Sequence, residues 1–212
     1  MRSTVTAGTL TMALAVAPAF AQSATTQATN QQTTGSTAKA AASTSDQAFV
    51  KAAARGGLAE VELGKLAQQK ASSNDVKQFG ERMVADHSKA NDELKSLAES
   101  KNITLPTTMS ARDQALYDRL SKLSGEAFDR AYIRAMVRDH RKDVNEFRRE
   151  ARSGRDPDVK AFASKTEPTL EEHLKQAREI NQKEVATSGT RTRSRTSGTT
   201  GTASGAPETN KK

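Results

Sequence analysis

An all-α fold, a small antiparallel four-helix bundle over residues 46–184 with a short crossover helix and disordered tails, is what this 212-residue sequence predicts. Apolar residues recur at spacings of three and four through four long segments, which is the helical period. Ser, Asn, Gly and Pro punctuate those segments where caps and breaks belong. Both ends of the chain are too polar to join a core.

The first helix is predicted from about Asp46 to Ala71, with Phe49, Ala53, Gly56, Leu63 and Leu66 on one face, and ends at Ser72-Ser73-Asn74. Asn74 is read as the cap of the second helix, which turns Val76, Phe79, Met83, Ala90, Leu94 and Leu97 inward and stops before Ile103-Thr104-Leu105-Pro106. Ser110 and Asp113 resemble a capping box and open a short helix to about Leu123, where the two halves cross over. The third main helix follows Ser124 to about Arg152, presenting Phe128, Ile133, Met136, Val144, Phe147 and Ala151. The fourth starts with Asp156 as cap and Pro157 in the first turn, where a missing amide proton is harmless, and buries Val159, Phe162, Leu170, Ala177 and Ile180. Pro168 inside it removes a backbone hydrogen bond and is expected to bend the helix before His173. Asp75-Val76-Lys77-Gln78-Phe79 recurs as Asp158-Val159-Lys160-Ala161-Phe162, each opening the second helix of a hairpin.

The ends read differently. Arg2, the apolar run from Leu10 to Val16 and the small Ala19 and Ala21 make residues 1–21 a secretory signal cleaved after Ala21; the run is too short to anchor in a membrane. Residues 22–45, rich in Ser, Thr, Gln and Ala, are expected to be a disordered linker, and residues 185–212 a disordered basic Thr/Gly/Ser tail. With no cysteine, disulfides and lipid attachment at an amino-terminal cysteine are excluded. No transmembrane segment is expected after signal cleavage.

The net charge is +8, yet residues 46–184 hold 26 basic against 24 acidic residues, so the excess lies in the flanks. A basic tail suggests attraction to anionic envelope surfaces, or merely a solubilising linker. No specific nucleic-acid partner is expected. Arg130, Arg134, Arg138, Arg141, Arg148 and Arg149 alternate with acids as a solvated face would, and aromatic platforms are lacking beside them. No glycine-rich phosphate loop and no serine or cysteine nucleophile in a recognisable setting is present.

Three histidines remain, His87, His140 and His173, each on a different helix at a core-facing position. A buried ring without a partner costs about 1–3 kcal/mol, so the rings are expected to meet one another or meet acids. Glu60 and Glu62 flank the apolar stripe of the first helix, and Tyr132 lies two turns before His140. Imidazoles and carboxylates converging in a bundle make a site for a divalent metal or iron; a hydrogen-bonded polar core is the other reading. The metal candidates are Glu60, Glu62, His87, His140 and His173, with Asp86, Asp129, Tyr132 and Asp139 around them as second shell or polar network. A di-iron carboxylate site is disfavoured, because the positions three before each histidine are Val84, Val137 and Leu170 rather than Glu.

The run Gly57-Leu58-Ala59-Glu60-Val61-Glu62-Leu63-Gly64-Lys65-Leu66-Ala67, then Met83-Val84-Ala85-Asp86-His87, Phe128-Asp129-Arg130-Ala131-Tyr132, His140 and Pro168-Thr169-Leu170-Glu171-Glu172-His173-Leu174 together resemble the domain-of-unknown-function family 4142 over roughly residues 46–182. The resemblance implies a ferritin-like four-helix bundle in exported bacterial proteins, often labelled outer membrane proteins, and implies no reaction. Its recurrent positions map onto Glu60, His87, Asp129, Tyr132, His140 and His173. The leading expectation is therefore an exported, non-enzymatic ferritin-like protein of the cell envelope, serving stress or envelope homeostasis, periplasmic or secreted and possible to find at the outer membrane. The alternatives are a metal-binding or redox protein with a histidine/glutamate site in the bundle core, and an envelope interaction module using its basic tail.

Overall fold

The computed structural model describes residues 42–196, with side chains through residue 186. The signal and most of the linker, like the side chains of most of the basic tail, lie outside the described residues. Five helices occur among them: α1 (Thr44–Lys70), α2 (Asn74–Ser100), α3 (Ala111–Ser121), α4 (Gly125–Ser153) and α5 (Pro157–Thr196).

Long-range polar contacts set the topology. At one end Asp46, in the first turn of α1, accepts from the Arg155 and Asp156 amides beside the start of α5. At the other, Asp129 near the start of α4 accepts from the turn that closes α1. Thus α1 runs antiparallel to α4. Likewise α2 runs antiparallel to α5, since Asp75 pairs with Lys183, Glu93 with Lys165, and Lys101 with Asp156. The chain is two antiparallel hairpins, and the connection from α2 to α4, carrying α3, must travel the length of the bundle. One long crossover of this kind defines the ferritin-like bundle.

Local chemistry explains the ends. Ser43 and Asp46 form a reciprocal capping box, so that α1 starts at Thr44, two residues before the predicted Asp46. Ser73, not Asn74, is the N-cap of α2, and its own side chain makes no cap bond; the Asp129 carboxylate takes the Ser72 and Ser73 amides instead, at 2.9–3.2 Å. Asn102, at φ 55°, ends α2 in the left-handed conformation that asparagine tolerates. Asp156 caps α5 through the Asp158 and Val159 amides. The helix continues unbroken through Pro168, whose side faces solvent, and reaches Thr196 rather than stopping near 184.

The buried face of α1 begins one residue out of the expected register. Val50, Ala54 and Gly57 are buried, while Phe49, Ala53 and Gly56 are half-exposed at its edge. Further along, α1 and α2 touch backbone to backbone: a Cβ on Gly64 would lie 2.7 Å from the Gly80 carbonyl oxygen, and one on Gly80 would lie 2.8 Å from the Gly64 carbonyl. Only glycine allows that approach.

Two apolar clusters fill the bundle. One, around Leu63, Phe79, Met83, Phe128, Tyr132 and Ile180, also takes Leu116 and Leu120 from α3; the other gathers Val50, Leu94, Ile103, Val159 and Phe162. Val144, Leu170 and Leu174 form a third, smaller group.

Near the start of α1, Glu150 is buried against Asp46. Burial and the Asp46 carboxylate push Glu150 up to about 7, whereas the Asp46 carboxylate, although burial opposes it, is held low by the Arg155 and Asp156 amides. Between about pH 4.5 and 7 the folded chain keeps a proton that the unfolded chain has released, so folding stability falls as pH rises through this window. Glu150→Gln removes that dependence. Thermal midpoints measured at pH 4.5 and pH 8 are expected to move in favour of the variant as pH rises; parallel pH profiles would contradict the account.

Candidate metal centre

Each main helix contributes one buried polar side chain to a shared cluster: Glu60 from α1, His87 from α2, His140 from α4 and His173 from α5, at residue exposures of 4, 8, 0 and 0 %. Helical spacing puts the rings there. His87 follows Met83 by one turn, His140 lies between Met136 and Val144, and His173 lies between Leu170 and Ala177, all of them buried.

The three rings face one another at centroid distances of 5.7 Å (His87 to His140), 5.4 Å (His87 to His173) and 5.3 Å (His140 to His173). One ring nitrogen from each lies within 4.8 Å of the other two. Phe79 walls the group with edge contacts to His140 and His173.

Their neighbours fix the tautomers of two rings. A backbone carbonyl only accepts, so His140 Nδ1–H donates to Met136 O at 3.1 Å, leaving Nε2 with the lone pair. His173 Nε2–H donates to Asp86 Oδ2 at 2.8 Å, leaving Nδ1 with the lone pair. Asp86 stays a carboxylate: burial works against it, but the His173 and Arg82 hydrogen bonds lower it below the ordinary value. His87 Nε2, His140 Nε2 and His173 Nδ1 are all buried without a hydrogen-bond partner.

Burial lowers His87 and His140 to about 3 and His173 to about 4, and a neighbouring ring adds to the shift in each case. The rings are therefore neutral at pH 7, the form in which imidazole ligates metals. Nitrogen ligands at about 2.0–2.1 Å from zinc sit no more than about 4.2 Å apart, a spacing that three ring nitrogens within 4.8 Å of one another are close to.

Glu60 is the carboxylate beside them, with Oε1 3.9 Å from His140 Nδ1 and Oε2 unpartnered. Burial, then the charges of Asp143, Asp139 and Asp113, push it well above the ordinary carboxylate range. Glu62 is not brought in: its side chain is 44 % exposed and pairs with Lys65 at 2.8 Å. The expected surrounding network divides in the same way. Asp86 orients His173. Asp129 is buried but serves the α1–α2 turn, accepting also from Ser72 Oγ at 2.5 Å. Tyr132 stacks on Phe128 at 5.5 Å with its hydroxyl unpartnered. Asp139 faces Arg112 at 3.4 Å rather than a histidine.

Two cavities border the rings. One of about 290 Å³ is lined by Glu60, Leu63, His87, Asp139, Asp143 and Phe147 among others. The second, about 120 Å³, is lined by Asp86, His87, Thr169 and His173 among others. The sequence reading missed Asp143 and Glu146; their spacing of four and seven from Asp139 was the available signal, hidden within a run that alternates with arginine and reads as solvated surface.

The family described as Domain of unknown function (DUF4142) matches residues 19–180. No curated protein matches the chain in sequence. Among solved structures, the chain is similar to a DUF305 fragment from Deinococcus radiodurans, with TM-score 0.61 and 14 % identity over 68 % of this chain and 99 % of that one. It is also similar to CopM in its Cu(II)-bound form, with TM-score 0.56 and 18 % identity over 65 % of this chain and 96 % of that one. A DUF305 protein from Streptomyces coelicolor, described as a candidate secreted protein, gives TM-score 0.57 and 12 % identity over 66 % of this chain and 91 % of that one. At such identities the likeness concerns the fold alone. All these observations agree on a helical bundle, and among the described residues no helix is long and apolar enough to cross a membrane.

Proposed function

We propose, from the premise that this chain belongs to the DUF4142 family, that it is an exported metal-binding bundle of the cell envelope whose His87, His140 and His173 hold one copper or zinc ion. The single observation that carries this reading is the set of three convergent buried histidines, each with one ring nitrogen left unpartnered. A core built only for stability would avoid three such groups at about 1–3 kcal/mol each. Imidazole donors suit copper and zinc, and a carboxylate–histidine contact such as Asp86 to His173 is the outer support that ligating histidines ordinarily have.

Glu60 lies beside the Nδ1 edge of His140 at 3.9 Å and so borders the three-histidine donor set, while Glu62 is turned away to Lys65. A carboxylate-rich iron site has no support from this arrangement, because a single buried carboxylate accompanies the rings. Copper is tested first because the structure of CopM, similar in fold, is of a Cu(II)-bound form. Export is supported by the signal-like residues 1–21 and by the likeness to a protein described as a candidate secreted one. Bound there, copper would supply redox or storage capacity and zinc a fixed Lewis acid; the chain's own part is to hold three neutral rings in a dry, oriented set.

Elemental analysis of the untagged chain purified from its exported location tests the reading, beside a variant with His87, His140 and His173 replaced together. Near-stoichiometric copper or zinc that vanishes in the variant is expected; absence of metal from both overturns the proposal. Asp86→Asn, which weakens the support of His173, is expected to lower metal affinity about 10–100-fold without changing the stoichiometry. Isothermal titration reads the effect, and an unchanged affinity would remove Asp86 from the site.

A further inference from the structure

The larger cavity beside the histidines carries a charge pattern that the centre itself does not require. Asp139, Asp143 and Glu146 line it from one face of α4, with side chains 22, 22 and 30 % exposed, starting one residue before His140. Asp113 brings these acids on its wall to four, beside the buried Glu60 that holds its proton, against the three cations Arg55, Arg112 and Lys142. The smaller cavity, which also borders His87, is balanced, with Asp86 and Glu93 against Lys89 and Lys165. Only one of the two approaches is therefore acidic.

The counter-ions on the acidic side are loosely held. Arg112 is 71 % exposed and reaches Asp139 at 3.4 Å, while Lys142 is 51 % exposed and reaches Glu146 at 2.8 Å and Asp143 at 3.5 Å. Exposed pairs of this sort contribute roughly 1 kcal/mol or less, so an arriving cation displaces them readily. Asp143 is pushed up to about 6 by burial, with Glu146 and Asp139 adding repulsion; a bound cation relieves that repulsion. Two residues that line the same cavity carry unpartnered buried atoms: Glu60 Oε2, on a side chain 5 % exposed, and His87 Nε2, on a residue 8 % exposed.

We propose that this acid-lined cavity is the vestibule through which a divalent metal cation reaches the histidine centre, with Asp139, Asp143 and Glu146 as transient ligands and Glu60 handing the ion to His87. This rests on the metal-binding reading above and deepens it, since it assigns the route and the residues that select for cations. Clefts lined by one sign of charge raise association rates of opposite charges about 10- to 1,000-fold, and salt erases the gain.

The test is rapid mixing of the metal-free mature chain with Cu(II), following the absorbance of the copper–histidine complex at low and high salt. Two variants probe the route independently. Asp139→Asn with Asp143→Asn removes the field. Gly56→Leu plugs the space, because Gly56 lines the cavity and a Cβ there meets nothing within 4 Å. Expected are an uptake rate at low salt about 10-fold or more slower in the double variant, a flattened salt dependence, slower uptake at every salt for Gly56→Leu, and an unchanged final stoichiometry. Complete uptake at the unaltered rate by both variants overturns the vestibule while leaving the histidine site standing. No uptake by the unaltered chain overturns the histidine site and the vestibule with it.

Discussion

Replacing His140 with leucine is expected to abolish metal binding and, in the same protein, to raise the melting temperature of the metal-free chain. His140 is wholly buried, and its Nε2 has no hydrogen-bond partner. Leucine fills a similar volume without a polar atom to desolvate, a gain of about 1–3 kcal/mol, or roughly 3–10 °C for a domain of this size. Metal acts in the opposite direction. At a free concentration 1,000 times its dissociation constant, a ligand specific for the folded state adds about 4 kcal/mol, so the unaltered chain should overtake the variant once copper or zinc is present. Calorimetric scans of both proteins with and without metal show whether the order reverses. If His140→Leu lowers stability and metal moves neither protein, the histidines are architecture and the metal reading fails.

Asp129→Ala is expected to be the most damaging single change outside the histidine centre. The carboxylate gathers the Ser72 and Ser73 amides and the Ser72 hydroxyl across 57 residues of sequence, and so fastens the first hairpin to the second. Losing hydrogen bonds to a charged acceptor costs about 1.5–3 kcal/mol apiece, less where water can substitute, so a total of about 2–4 kcal/mol, or roughly 5–15 °C, is expected. Metal stoichiometry should survive in the folded fraction. Loss of metal with stability intact would instead put Asp129 in the histidine network.

The comparison of these two residues shows what was legible in the sequence. His140 declared itself because a polar ring in an apolar stripe is anomalous by periodicity alone, and the same holds for His87 and His173. Asp129 could be seen to matter, but not how, because its partners lie in a turn far away in the chain and no local pattern encodes that pairing. Glu60 and Glu62 were indistinguishable for a related reason: both flank the stripe, and only the register of α1, set by the packing of Gly57, Leu63 and Gly64, turns the first inward and the second to Lys65. That register was also misjudged nearer the start, where Phe49 outweighed Val50 as an apolar signal although the larger ring sits at the margin, against Phe147. The caps were legible where the capping side chain is local, as at Asp156, and hidden at α2, where it comes from another helix.

The four clustered polar side chains also divide evenly between the hairpins, Glu60 and His87 on α1 and α2, His140 and His173 on α4 and α5. The seam between the halves is crossed by the Asp86–His173 bond, the Arg82–Gln176 bond and the ion pairs along α2 and α5. A chain that breathes along this seam takes the cluster apart without unwinding a single helix. Hydrogen-exchange protection is then a property of how the halves are clasped rather than of each helix alone, and an occupant of the centre would act as the clasp, converting two independently opening hairpins into one cooperative unit.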